Sequence, residues 1–545
     1  MNISRSVFVV FLLFPAVPSA YAQPSCDSYH DSLKALAVWC ENQGLAAEAK
    51  TTRAAVKPDS PDHLFLPALP LEAGLLSDDD SLREKGSEAI SEYPSGNALP
   101  VPGDDHEDGR HHDWHRRFSR IRRTYAEQCF AEARRLAGEK KGGKAVEYLL
   151  ECVRANPDHL GARTVFGFQR YEGTWRTAWE IGQLKKKRID HPRFGWIPAA
   201  HVKRYEKGER FLQDPDRRKG EWISSEEEER RRFDIRNGWV LVSEHYELRT
   251  NVGLEEGVKM LRRLEDIHRA WSLLFFRYLG TEGQFAKMFL NLKPGVPSQS
   301  GNPKKHSVYV YRDKEDYVRN LQEIDPNIGN TIGFYLPSKK RCYFYPPDPA
   351  KMSALDVRNI DNTLLHEATH QLFQESRGIV GMPGESGNFW IFEGIAMYME
   401  TLRRSGDYYV LGECGNGLEE QDAARAGVTA DTSGRLYAAR YRYHEGFYVP
   451  MAILVRMNTR LFQEFRGYPR PGSDPLAETQ KLYSQSAGFT HFLMHAEGGR
   501  FREAVIAYLC LFYNGEAVFD TLSKLTGVSY PELDRMYDVY IRQGF

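Results

Sequence analysis

Apolar positions in the second half of the chain follow two periods, and the switch between them organises it. His245-Tyr246-Glu247-Leu248-Arg249-Thr250 alternates every second residue, as a half-buried strand does, with Trp239-Val240-Leu241-Val242 as a strand before it. From about 254 to 277 the spacing becomes helical, with Val258, Leu261, Leu264 and Ile267 on one face. Met288 to Leu292 and Ser307 to Tyr311 read as two more strands. A helix over about 314–323 separates them from a hairpin, Gly333-Phe334-Tyr335 against Cys342-Tyr343-Phe344-Tyr345. A helix over about 355–375 follows, and beyond it nearly everything is helical. Strands first, then a central helix and a helical half, is α+β order.

The first half reads differently. Residues 28–49 form a short helix, and from Lys57 to Asp113 Pro, Asp, Ser and Gly replace any sustained period, which is linker composition. The His/Asp-rich end of that stretch, Asp104 to His115, is a solvated loop by composition. Helices at about 118–138 and 144–155 flank the turn Lys140-Lys141-Gly142-Gly143, and another starts after Asn156-Pro157-Asp158. The pair resembles one tetratricopeptide unit or a private helical hairpin, a surface able to dock a protein partner. Cys129 and Cys152 lie symmetrically about its turn, either as a disulfide or as two small core residues. Residues 170–236 are rich in Trp, Tyr, Lys and Arg, and the run Glu226 to Arg232 reads as a solvated helix or linker. The expected division is therefore 1–22 signal, 23–50 short helical segment, 51–115 flexible linker, 116–236 helical accessory region and 237–545 an α+β domain.

Arg5, the apolar run Val7 to Phe14 and the small-x-small site Ala20-Tyr21-Ala22 predict an export signal cleaved after Ala22, and a secreted or periplasmic protein. No later stretch approaches the roughly 18 apolar residues of a membrane helix, so no membrane span is expected. A formal net charge of -1 gives no reason to expect nucleic acid or an anionic membrane as partner. The seven cysteines contain no C-x-x-C pair, which disfavours a cysteine zinc site.

The chemistry concentrates in Leu364-Leu365-His366-Glu367-Ala368-Thr369-His370-Gln371-Leu372, an H-E-x-x-H signature within a helical pattern. Ile360, Leu364, Leu365, Ala368 and Leu372 gather on one stripe, and His366 and His370, at i and i+4, fall on the other side. Two imidazoles so placed suit zinc, and Glu367 stands where a general base for activated water is wanted. Flanks of Leu364-Leu365 and Leu372-Phe373 do not suit a solvated helix. A catalytic zinc site wants a third protein ligand. The metzincin continuation fails, since its glycine and ligand positions are Phe373 and Ser376. A turn-rich loop with Gly378, Gly381, Pro383, Gly384 and Gly387 instead leads to Trp390-Ile391-Phe392-Glu393-Gly394-Ile395-Ala396. Glu393, set among apolar neighbours, needs a buried partner, and a metal is the best one available. Gly394 costs about 1 kcal/mol against alanine inside a helix, which a close helix–helix contact would justify.

H-E-A-T-H-Q-L followed by W-I-F-E-G-I-A resembles the gluzincin branch of zinc metallopeptidases, the thermolysin-like and peptidase MA-like proteins. It is most similar to secreted proteins of planctomycete-type bacteria in which a helical, tetratricopeptide-like part precedes a peptidase domain. His245 to Asn251, Gly333-Phe334-Tyr335 and Tyr483-Ser484-Gln485-Ser486 add to the match, which spans about 238–540. The resemblance implies a zincin-like domain and a Zn2+ cofactor held by His366, His370 and Glu393. It also implies Glu367 as base and later acid, and a protein or peptide substrate. Gluzincins commonly use a tyrosine or histidine to stabilise the oxyanion, for which Tyr483 is the first candidate, ahead of His491 and Tyr443. The chain departs from the thermolysin pattern at Met397, four residues after Glu393, where an acidic residue orients a ligand histidine. Asp361, Asn362 and Glu400 are the alternatives for that task. The hairpin ending at Tyr345 offers an edge strand that an extended peptide can extend. Two other readings stay open: an inactive zincin-fold binding protein, and a zinc amide hydrolase acting on a non-protein substrate such as peptidoglycan.

Overall fold

The computed structural model describes residues 26–56, 60–69, 109–212, 220–280, 282–290, 304–346, 354–377, 383–413, 434–464 and 475–543. The signal at 1–22 and residues 378–382 of the glycine-rich loop lie outside them. The architecture is mixed, helical with small sheets. No helix among the described residues is long and apolar enough to cross a membrane.

Helices α1 (Cys26–Asn42) and α2 (Ala46–Ala54) are followed by strand β1 (Leu64–Pro67). Helices α3 (Gly109–Gly138) and α4 (Gly142–Ala155) then pack as the expected hairpin, with α1 and α2 against α3. Cys129 and Cys152 are both buried in the core of that hairpin. The range 51–115, read as linker, thus carries the end of α2, all of β1 and the start of α3, while 70–108 lies outside the described residues.

Residues 168–231 differ from the sequence reading. They form three successive β-hairpins, each followed by a short helix: β2 (Phe168–Tyr171) with β3 (Thr174–Thr177), β4 (Arg188–His191) with β5 (Gly195–Pro198), and β6 (Glu209–Leu212) with β7 (Glu221–Ser224). Each second strand carries a tryptophan, Trp175, Trp196 or Trp222. Two of the units hand over to their helix through an N-cap: the side chains of Thr177 and Ser224 accept from the backbone N–H of Glu180 and Glu227. Four-residue strands are too short to show a period, so only the recurring tryptophan betrays the repeat in the sequence.

The next sheet has the order β11-β12-β10-β9-β8. It comprises β8 (Trp239–Val242), β9 (Tyr246–Thr250), β10 (His306–Val310), β11 (Gly333–Leu336) and β12 (Arg341–Phe344). β10 runs parallel to both β9 and β12, and the outer pairs are antiparallel, so β11 and β8 are the edges. Burial along β9 and β10 alternates as the period requires, with Tyr246, Leu248, Thr250, Val308 and Val310 inward. Helix α5 (Leu254–Leu274) packs on this sheet. The strand expected at Met288 to Leu292 is instead the end of a helix, Glu282–Leu290. Phe285 and Phe289, four apart, bury on its one side, and Phe289 meets Phe130 of α3, so helical spacing prevailed.

Helix α6 (Ala354–Glu375) lies against β11, β12 and α5, with Leu364, Leu365, Ala368, Leu372 and Phe373 buried. Helix α7 (Phe389–Met399) packs on α6, and a hairpin unforeseen in the helical half follows, β13 (Arg403–Ser405) with β14 (Tyr408–Leu411). Strand β1 completes that hairpin from the far end of the chain, pairing Leu64 with Leu411 and Pro67 with Tyr408. Helices α8 (Arg435–His444) and α9 (Pro475–Gly499) flank α7 on its other side.

Candidate metal centre

Helices α6 and α7 bring one turn of each together. His366 and His370 leave the face of α6 opposite its buried stripe, and Glu393 sits one turn into α7. The His366 and His370 Nε2 atoms are 3.0 Å apart, and Glu393 Oε2 lies 3.2 Å from the first and 3.8 Å from the second. His370 and Glu393 are buried. Two imidazole nitrogens and a carboxylate oxygen facing one point form a donor set that could hold a metal ion, of the kind zinc accepts from two histidines and one glutamate.

The tautomer is set from behind. Glu400 Oε1 is 2.8 Å from His366 Nδ1, which places the proton on Nδ1 and leaves Nε2 as the lone-pair donor. Glu400 stands two turns beyond Glu393 on the same side of α7, so it performs the task left vacant at Met397, which packs with Leu436, Ala487 and Tyr483 instead. Asp361 is engaged elsewhere, by Arg263 at 2.9 Å, and Asn362 lines the cavity without reaching either imidazole. His370 Nδ1 has no hydrogen-bond partner among the described residues; its ring is held by stacking on Phe392 at 3.9 Å. Burial acts to lower the His366 pKa, but the Glu393 and Glu400 carboxylates at its two nitrogens outweigh it and push it to about 10. Burial likewise raises Glu393, and its bonds to the two histidines overcome that to hold it at about 2.

Glu367 lies beside the cluster with Oε2 accepting from the backbone N–H of Tyr335 at 2.8 Å, on the outer edge of β11. Burial raises its pKa above the ordinary carboxylate value, against the opposing pull of His366 and His370. This is the direction that suits a carboxylate required to take up and return a proton. Gly394 explains itself by its neighbours. A Cβ there would stand 2.4 Å from Thr490 Oγ1 and 2.8 Å from the Ser486 carbonyl oxygen, so α7 and α9 touch backbone to backbone beside the cluster.

His366, Glu367, His370, Glu393 and Glu400 line one open cavity of about 630 Å³, together with Tyr483 of α9. Tyr483 packs edge-on against Phe462, and burial raises the pKa of its phenol, so it stays a proton donor. The other two oxyanion candidates are elsewhere. His491 is buried with Nε2 on the Gly412 and Asp62 carbonyls and Nδ1 on Tyr540, and Tyr443 bonds to Asp538. Arg435, at the start of α8, also lines the cavity and escaped the sequence reading, because nothing local distinguishes it from other arginines.

A second grouping, His245, Glu265 and His268, also brings ligand atoms within 4.8 Å of one another. Its imidazoles are stacked, centroids 3.6 Å apart and planes 15° from parallel, so no point within bonding distance of both rings lies in both ring planes. Glu265 instead accepts from the His245 backbone N–H at 2.7 Å and meets its Nδ1 at 2.8 Å. A cavity of about 700 Å³ between α4, β1 and residues 495–506 is larger, but its charges pair internally, Arg154 with Glu151 and Arg277 with Glu503. The convergent donors are at the first site.

No family model matches the chain, and no curated protein does.

Proposed function

We propose that the protein is an exported zinc-dependent metallopeptidase of the gluzincin type, with a zincin-like domain over residues 237–545 and His366, His370 and Glu393 as ligands. The observation that carries this reading is the convergence of three potential metal-ligand atoms from α6 and α7, with an independent carboxylate, Glu367, beside them. A purely structural zinc site has no use for that fourth group. Zinc bound there would polarise a carbonyl and lower the pKa of water toward about 7. Glu367 takes the proton from the attacking water and hands it to the leaving nitrogen. Tyr483 donates its hydroxyl proton to the developing oxyanion. Glu400 keeps His366 in the ligating tautomer.

Substrate binding follows from the edge strand. The Tyr335 N–H is already directed away from β12 toward Glu367. By the alternation of an antiparallel pair, Gly333 presents its backbone groups to the same side. An extended peptide adds to this edge with its carbonyl over the cluster. The test is zinc content of wild type beside Glu393→Gln, with cleavage of an unstructured protein by wild type beside Glu367→Gln. Stoichiometric zinc that weakens in Glu393→Gln, with cleavage abolished and zinc retained in Glu367→Gln, is the expected result. Absence of zinc from the wild type rejects the reading. Export is tested separately: the mature chain is expected to begin at Gln23.

A further inference from the structure

The cavity around the cluster contains three carboxylates, and each is engaged. Glu393 faces the two histidines, Glu400 holds His366 Nδ1, and Glu367 accepts from Tyr335. Arg435 is the one lysine or arginine among the described residues lining this cavity. Its ion pair is long, Nε to Glu400 Oε2 at 3.9 Å, and its side chain remains 42% exposed. Its charge reaches Tyr483 as well, since it opposes the rise of that phenol's pKa. A guanidinium offers five donors in a planar fork that matches a carboxylate through two parallel bonds. A residue serving only to neutralise Glu400 would close on it to hydrogen-bond distance; at 3.9 Å most of that donor capacity is unspent.

We infer that Arg435 is a substrate-recognition residue that binds a carboxylate, so that the preferred substrates are peptides carrying a negative charge close to the scissile bond. This rests on the peptidase reading and adds the substrate class to it. Arg435 stands behind Glu400, which stands behind His366. At about 3.5 Å per extended residue, an anion bound there sits within about three residues of the carbonyl at the cluster. Two sources supply the same chemistry: the free C-terminus of a short peptide, and an Asp or Glu side chain within a longer one.

The experiment uses the full-length mature protein loaded with zinc and a panel of N-acetylated hexapeptides. Each peptide is made as free acid and as C-terminal amide, and with Glu or Gln at each position. Wild type is expected to cleave the charged member of a pair with KM lower by about tenfold, the scale of one charge-assisted hydrogen bond. Arg435→Gln should erase the difference, and Arg435→Lys should restore part of it. A preference following the free acid identifies the C-terminus as the source, and one following Glu at a fixed position identifies the side chain. Equal cleavage of charged and neutral members by wild type overturns the proposal and leaves the peptidase reading intact. So does an Arg435→Gln variant whose kcat falls alike on every member, which is the behaviour of a prop for Glu400. Calorimetric binding of the same peptides to zinc-loaded Glu367→Gln separates the two ideas. Charge-dependent binding that Arg435→Gln abolishes, without cleavage by wild type, keeps the anion site and rejects the peptidase. Neither binding nor cleavage rejects both.

Discussion

At the scale of single residues, the site depends on groups that act through others. Glu400 touches no ligand position, yet its contact with His366 Nδ1 decides which nitrogen faces the cluster. Glu400→Gln keeps the size but removes the charge, and zinc affinity measured by chelator competition should fall by roughly tenfold, the lower end for such supporting partners. Unchanged affinity would remove Glu400 from the account. Tyr483 is tested differently, because its part belongs to the transition state alone. Tyr483→Phe should lower kcat by about a hundredfold with KM and zinc content nearly unchanged. A comparable loss in KM would make it a binding group instead.

Among elements, the decisive contact is between helices α7 and α9. Gly394 lets the Ser486 backbone approach α7 at the level of the cluster, and a carbonyl oxygen cannot turn aside as a side chain can. Gly394→Ala is therefore expected to cost about 1–3 kcal/mol despite alanine's better helix propensity. A lower thermal midpoint together with weakened zinc retention would show that the strain reaches Glu393, one residue away. A variant more stable than wild type would mean that the two helices separate freely.

For the whole molecule, the N-terminal segment is fastened to the C-terminal half. Strand β1 extends the β13–β14 hairpin, and the Asp62 carbonyl just before it accepts from His491 Nε2. His491 stacks on His495, whose Nε2 meets the Tyr398 hydroxyl of α7. Burial pushes His491 down to about 4, only partly offset by its carbonyl acceptors, and holds His495 well below the usual histidine range. Both are neutral in the folded protein, whereas in the unfolded chain they titrate near 6.5. Unfolding therefore takes up protons below that value, so stability is full above about pH 6.5 and is lost as pH falls toward 4. Urea midpoints at pH 7.5 and pH 5 should differ in that sense, and His491→Gln should reduce the difference. A midpoint that holds or rises on acidification would refute this assignment.

How much of this was legible beforehand depended on whether the signal was local. Residues His366, Glu367 and His370 occupy adjacent turns of one helix, so period and spacing alone placed the two histidines on one face with Glu367 turned to the side of it. The alternation of β9 and β10 fixed those strands for the same reason, since a period of two admits one inward set. Glu393 was reachable too, because a glutamate among Trp390, Phe392 and Ile395 must find a partner. What followed from the tertiary structure alone were the relations between distant segments. These are Glu400 rather than Asp361 behind His366, Tyr483 rather than His491 in the cavity, Arg435 beside them, and β1 paired with β14 across more than 300 residues. Each is settled by which helix faces turn toward a shared space, and that depends on packing between elements, about which the spacing within any one of them is silent.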